Sequence, residues 1–211
     1  MSKVFFSVTM SLDGFIAPEL RGDDVGDKRW LSQWMELQKY VLEQKFFREL
    51  LKLGDGGLTG DDNRFLEETF NRTGVSIMGK RMFDAGERGW PEEAPFHTPV
   101  FVLTRQLREP WERKGGTTFH FVNDGIESAL GKAREVAHDK DVRIAGGAQT
   151  IREYLAAGLV DEFQIALAPV FFGSGIPLFD RIEQSKLSID ILDAVHSPMV
   201  THLSYAVRRN G

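Results

Sequence analysis

The run from Ile144 to Pro169 constrains this chain more than any other, because it reads as strand, helix and strand in immediate succession. Val142 to Ala145 is of strand type, broken by Arg143, and it stops at the pair Gly146-Gly147. In the helix that follows, Ile151, Tyr154 and Leu155 fall at the i, i+3, i+4 spacing of one buried face. Gly158 stands where a left-handed C-cap is wanted, since it lacks the Cβ that makes positive φ costly. Phe163, Ile165 and Leu167 then alternate with Gln164, Ala166 and Ala168, which is the period of a strand. The glycine pair opens a helix whose first N–H groups have no intrahelical partner. Such an end suits a phosphate through hydrogen bonds and the helix dipole, and a tight turn is the plainer alternative.

The same alternation runs through the rest of the chain. Val4 to Val8, Val75 to Met78, Val100 to Leu103 and Thr117 to Val122 read as strands, and Leu187 to Leu192 and His202 to Val207 as two closing, antiparallel ones. Helices are expected over Trp30 to Leu53, Asn63 to Thr73, Arg81 to about Asp84 and Ile126 to Ala137. Arg21 to Lys28 and the glycine-rich Gly54 to Gly60 read as loops. Strands alternating with helices give an α/β fold, and the helix-free connection at the end makes the sheet mixed. The aromatic-rich helix 30–53 serves core packing, with a subunit interface or a lid as alternatives.

Composition narrows the partners. The chain has 211 residues, enough for one substantial core, and 1–211 reads as a single domain. A net charge of −5 disfavours nucleic acid, whose phosphates select basic surfaces. No cysteine is present, which removes disulfides, thiol nucleophiles and thiolate metal sites. The stretch G-D-G-G-L-T-G-D-D lacks the ligand spacing of a calcium loop, so no metal is expected. The first residues hold too short an apolar run for a signal peptide, and none approaches the roughly 18 residues of a membrane span. The expectation is a soluble, cytoplasmic protein acting on a small molecule, without nucleic-acid or membrane partners.

Three strand ends carry residues that suit a ligand: Gly79-Lys80-Arg81, Thr104-Arg105 and Gly146-Gly147-Ala148. Ligands of open α/β sheets bind at such ends. Cations at a helix start oppose the dipole, so an anion is one explanation for Lys80 and Arg81, and surface solvation is the other. A guanidinium beside a hydroxyl, as at Thr104-Arg105, fits bidentate contact with phosphate. Asp13-Gly14 is a turn, and also a loop leaving a central strand, where ligands often sit. Asp61 and Asp62 open a helix, as caps or as acids reaching a pocket. The glycine spacing is not G-x-G-x-x-G, which disfavours an ordinary dinucleotide-binding fingerprint.

With S-L-D-G-F-I-A at 11–17, I-M-G-K-R-M-F at 77–83, F-V-L-T-R at 101–105, I-A-G-G-A-Q-T at 144–150 and the run 159–179, the chain resembles the dihydrofolate reductase-like superfamily. It is most similar to the branch shared with the reductase domain of bacterial riboflavin biosynthesis. That resemblance implies a three-layer fold with a mixed, mostly parallel sheet of about eight strands, helices on both faces, NADPH as hydride donor and a homodimer. It implies that Gly79, Lys80 and Arg81 meet the adenosine-side phosphates, and that Leu103, Thr104 and Arg105 lie near the 2′-phosphate. It also implies that Gly146, Gly147, Ala148, Gln149 and Thr150 hold the pyrophosphate, while Asp13, Gly14, Ile16 and Ala17 flank the nicotinamide. Asp62, Asp61 and Asp13 are the acids considered for the proton, with a bound water as the alternative source. The function implied is reduction of a small heterocyclic or carbonyl substrate, and the alternative is a nucleotide-binding or ligand-sequestering protein of the same fold without turnover. A structural dimer with the aromatic helix as its main surface is a third reading.

Overall fold

Runs of β-branched and aromatic residues become strands, as their alternation requires. In the computed structural model, which describes residues 2–19 and 28–210, the chain opens with β1 (Val4–Ser11), β2 (Phe15–Ala17), α1 (Lys28–Leu37), α2 (Lys39–Glu43), α3 (Lys45–Leu50), α4 (Asp61–Arg72), β3 (Thr73–Gly79) and α5 (Lys80–Glu87). It continues with β4 (Val100–Leu103), β5 (Trp111–Glu112), β6 (Thr118–Val122), α6 (Ile126–Val136), β7 (Asp141–Gly146), α7 (Ala148–Ala156) and β8 (Glu162–Ala168). The last elements are β9 (Ile176–Pro177), a 3-10 turn, β10 (Leu187–His196) and β11 (Thr201–Arg209). Nine strands form one mixed, mostly parallel sheet in the order β10-β11-β8-β1-β7-β3-β4-β6-β5, and β2 pairs with β9 apart from it. The strand beyond the expected eight or so is explained by β5, whose two residues are too few to show a period.

By contacts the chain divides into two compact units, one of residues 2–6 and 68–162, the other of 7–19, 28–67 and 163–210. The first unit holds the parallel run β7-β3-β4-β6. Its core is aromatic: Phe83 is fully buried with Phe119, Phe121, Trp90 and Trp111 edge-on to it at ring distances of 5.2–6.1 Å. Each fully buried ring of this kind is worth about 1.5–3 kcal/mol of transfer free energy. Helix α7 ends as expected at Gly158, with φ +66, where Leu159 N–H reaches the Tyr154 carbonyl and Gly158 N–H the Leu155 carbonyl. That pair of bonds is a Schellman cap.

The second unit corrects one expectation. The helix expected over 30–53 is three helices, α1, α2 and α3, separated at Gln38 and Gln44. Gln44 is buried and extended (φ −77, ψ 140), and it pairs with Leu58 of the glycine-rich loop. Lys45 N–H donates to the Leu58 carbonyl and Leu58 N–H to the Glu43 carbonyl, while the Gln44 amide bonds the Tyr40 carbonyl. Tertiary bonding therefore overrides a helical period that contains neither Gly nor Pro. Leu37, Tyr40, Leu66, Ala166, Ala168 and Val200 form the core there. The loop expected over Arg21 to Lys28 lies outside the described residues apart from Lys28, which opens α1. Among the described residues no helix is long and apolar enough to cross a membrane.

Candidate functional site

Two parallel neighbours, β3 and β7, each end in glycine and feed a helix at once. Gly79 is the N-cap of α5 and Gly147 that of α7, and neither helix has a side-chain cap. A Cβ built on Gly79 would lie 2.4 Å from Thr150 Oγ1 and 3.9 Å from Gly147 N, so the two glycine ends touch. Gly146 has φ +134, and a Cβ there would meet Met82 Sδ at 3.0 Å. Side chains at Gly79 and Gly146 would therefore run into the first turns of α7 and α5, whose N–H groups are the ones an anion uses.

The cations there behave differently from each other. Arg81 donates from Nη2 to Gln149 Oε1 at 2.8 Å, joining the starts of α5 and α7, and Gln149 in turn bonds Glu153. Gln149 is a neutral amide, so this bond orients the guanidinium and leaves its charge unanswered. Lys80 is paired with Asp84 one turn along its own helix, at 2.5 Å, and its charge is largely answered.

The cradle continues along the strand ends. Register places Gly146 opposite Met78, Gly79 opposite Leu103, and Leu103 opposite Val122. Thr104 N–H bonds the Val122 carbonyl, and its hydroxyl accepts the Gln106 N–H at 3.0 Å, so Thr104 makes the turn that presents Arg105. Arg105 is exposed and has no ion pair or hydrogen bond among the described residues. One further element escaped sequence reasoning. Gly125, φ +99, is the N-cap of α6 after β6, again with no side-chain cap, and the only available signal was the turn dipeptide Asp124-Gly125. Asp124 is hydrogen bonded to Ser128 and to Lys132, the latter at 3.1 Å, and the two hold its carboxyl below the ordinary value.

The second unit carries the acids. Asp13 accepts from the Ser11 hydroxyl at 2.6 Å, from Phe172 N–H at 3.0 Å and from Gly173 N–H at 2.7 Å. Burial pushes its carboxyl up, but the Ser11 hydroxyl and the two N–H groups outweigh that and hold it below the ordinary value. A carboxylate so held is a brace for the Gly173 loop and a poor proton donor at neutral pH. Gly14, Ile16 and Ala17 belong to the same turn and to β2, which pairs with β9. Asp61 is an exposed partner of Arg64 at 3.0 Å.

Asp62 points inward and is 6% exposed. Its Oδ1 accepts from Ser197 Oγ at 2.6 Å and from His202 Nε2 at 2.6 Å, both of them buried. The imidazole stacks on Phe65 at 4.0 Å and meets Tyr40 edge-on, which fixes its plane. Burial pulls His202 below its ordinary value more than Asp62 raises it, so the ring is neutral and donates through Nε2–H. A folded-state value below the unfolded one means the unfolded chain binds more protons in that window. Stability present above pH ~6.5 is then lost as pH falls through the folded value. Thermal unfolding should therefore show a fall in Tm just below pH ~6.5, and H202Q should make that fall shallower. An unchanged slope in H202Q would remove His202 as its source.

A mixed sheet with glycine-capped helices at its parallel strand ends is the architecture of the dihydrofolate reductase-like fold. Dihydrofolate reductase from Enterococcus faecalis, in a structure complexed with NADP(H) and RAB-propyl, matches over 99% of this chain and 97% of its own, with TM-score 0.54 and 14% identity. A Shewanella sp. PV-4 protein assigned to riboflavin biosynthesis matches over 100% of both chains, with TM-score 0.63 and 23% identity. The model of the RibD C-terminal domain family matches residues 2–202, and the chain belongs to that family. Among curated proteins, Bacillus subtilis YyaP is 39% identical over 64 residues and YwjB 33% identical over 70. Those stretches are 30% and 33% of this chain, and they span only 34% of YyaP and 40% of YwjB.

Proposed function

We propose that this chain is an NADPH-dependent reductase of small heterocyclic or carbonyl substrates. The observation that carries the reading is the row of uncapped glycine N-termini at the ends of β3, β7 and β6, with Arg81 spanning two of them and Arg105 unpaired beside them. Glycine is a common N-cap but brings no side-chain acceptor, so three glycine caps in one row leave first-turn N–H groups for an external acceptor. Those residues fit a dinucleotide: the α5 and α7 N-termini for the pyrophosphate, Arg81 for its charge, and Arg105 for the 2′-phosphate. Bound there, NADPH supplies a hydride. The residues of the cradle bind and orient, and Asp62 is the acid assigned to the proton. The likeness to a reductase solved with NADP(H) and membership of the RibD C-terminal domain family support this assignment.

Titration with NADPH and with NADH, followed by nicotinamide fluorescence, tests it. Micromolar NADPH binding with weaker NADH binding is expected. R105A should weaken NADPH about tenfold or more and leave NADH nearly unchanged, because only the phosphorylated ribose offers the guanidinium a bidentate partner. Equal losses for both would remove Arg105 from the 2′-phosphate, and binding of neither would end the reductase reading.

A further inference from the structure

The parallel strands that end at the glycine cradle begin at the opposite end of the first unit, and a cavity of about 360 Å³ lies there. Thr73 and Gly74 of β3, Thr98 ahead of β4, and the turn from Ala137 to Lys140 between α6 and β7 line it. Its shape comes from Gly74. Thr73 pairs with Asp141 and Val75 with Val142, so Gly74 is an extra residue in the ladder. A Cβ on Gly74 would meet the Ala137 carbonyl oxygen at 2.6 Å and Lys140 Cβ at 2.7 Å, so only a glycine lets the turn lie against β3. His138 takes φ +53 in that turn, and Lys140 N–H closes it on the Ala137 carbonyl at 3.0 Å.

The polar groups of the lining lack partners of their own. Thr98 Oγ1 is buried without a hydrogen bond, which is uncommon for a hydroxyl in a folded protein. Thr73 Oγ1 gives its hydrogen to the Thr69 carbonyl at 2.6 Å and keeps its lone pairs. Lys140 and His138 are exposed, and among the described residues neither makes an ion pair or a side-chain hydrogen bond. Asp139 is the single acid of the lining, outnumbered by the donors around it. The C-terminal end of α6 suits cations in any case, but it offers nothing to Thr98.

We propose that this cavity binds a small hydroxylated metabolite carrying one oxyanion, with Lys140 and His138 on the anion and Thr98 and Thr73 on hydroxyl groups. Its volume stands at the lower end of the roughly 300–1,000 Å³ of small-molecule sites, which suits a ligand of monosaccharide size. The site does not depend on the reductase reading, which uses the other ends of these strands.

NMR titration of the full ¹⁵N-labelled chain with glucose 6-phosphate, gluconate and glucose tests it. At least one of the two anions should shift the amides of Thr73, Gly74, Thr98 and Lys140, and the one that binds identifies the head group as phosphate or carboxylate. Glucose should bind about tenfold more weakly or worse, and K140A should weaken the anion by a similar factor. T98V deletes a hydroxyl that has no protein partner, so Tm should hold or rise while the ligand is weakened roughly three- to tenfold. Still amides with both anions, equal binding of glucose, or K140A binding like the parent would each overturn the proposal. So would shifts confined to Gly79 and Gly147, since the helix starts of the cradle also attract phosphate. Lys140 is exposed and unpartnered, so K140A decides the matter even if T98V does not fold.

Discussion

R72A should lower stability by about 2–3 kcal/mol, and Tm by roughly 5–10 °C for a chain of this size. Arg72 closes a network at the starts of three strands. Its Nε and Nη2 reach Asp141 Oδ2 at 2.8 and 2.7 Å, and Nη1 reaches Glu162 Oε1 at 2.5 Å. Lys3 completes it, with Nζ on Glu162 at 2.5 Å and its N–H on Asp141 Oδ1 at 2.7 Å, and Phe5 lies beneath the guanidinium at 4.1 Å. Arg72 and Glu162 are 26% and 13% exposed, between the surface pairs that contribute almost nothing and the buried ones that cost about 3–5 kcal/mol when broken. Truncation would leave two poorly hydrated carboxylates facing each other and uncover Phe5.

The acid dependence adds a second readout. Burial pushes the Glu162 carboxyl up, but hydrogen bonds from Lys3 and Arg72, with their charges, outweigh it and hold it below its ordinary value. A depressed folded-state value gives stability that is present above the unfolded value, near pH ~4.3, and lost as pH falls through the folded one. R72A should flatten that part of the acid unfolding curve, and R72K should restore less than half, since lysine lacks the fork that meets two carboxylates. Denaturant unfolding at pH 7 and below would show both. A loss under about 0.5 kcal/mol would make the network an ordinary surface pair.

What the sequence discloses and what it hides divides along the range of the interactions. The strand ends at Gly79, Leu103 and Gly146 were legible because strand period, glycine and helix start are all local, and registration of those ends in one row followed from the parallel sheet. The Schellman cap at Gly158 was legible for the same reason. The breaks in the 30–53 helix were not, because Gln44 is pulled into extended backbone by Leu58, and nothing in its neighbours reports that. Asp62 was legible only as a residue at a helix start. Its partners Ser197 and His202 lie 135 and 140 positions away, and a lone serine or histidine in the closing part of the chain gives no local signal. The Arg72 network is hidden in the same manner, since Asp141 is 69 positions from Arg72.

G79A isolates the cradle from the rest of the fold. Gly79 has φ −81 and ψ 154, a conformation alanine adopts freely, so no backbone strain enters. The whole effect is steric: the new methyl would sit 2.4 Å from Thr150 Oγ1, far inside contact distance. Thr150 is 6% exposed in the first turn of α7 and β-branched, so it has little freedom to turn aside. The helix start must move instead, at a cost of about 1–3 kcal/mol for overpacking a tight contact. Moving α7 against α5 also spoils the alignment of their N–H groups, and NADPH affinity should fall about 10- to 100-fold, tenfold for each ~1.4 kcal/mol. T150A in the same chain removes Oγ1, so the double variant should regain most of the lost Tm, as expected of residues coupled by direct contact. Affinity need not return with it, because the methyl group added by G79A still stands at the mouth of the cradle. If G79A lowers Tm yet binds NADPH as tightly as the parent, the phosphates are not held between these two helix starts. The dinucleotide assignment would then have to move to the row formed by Arg105 and Gly125.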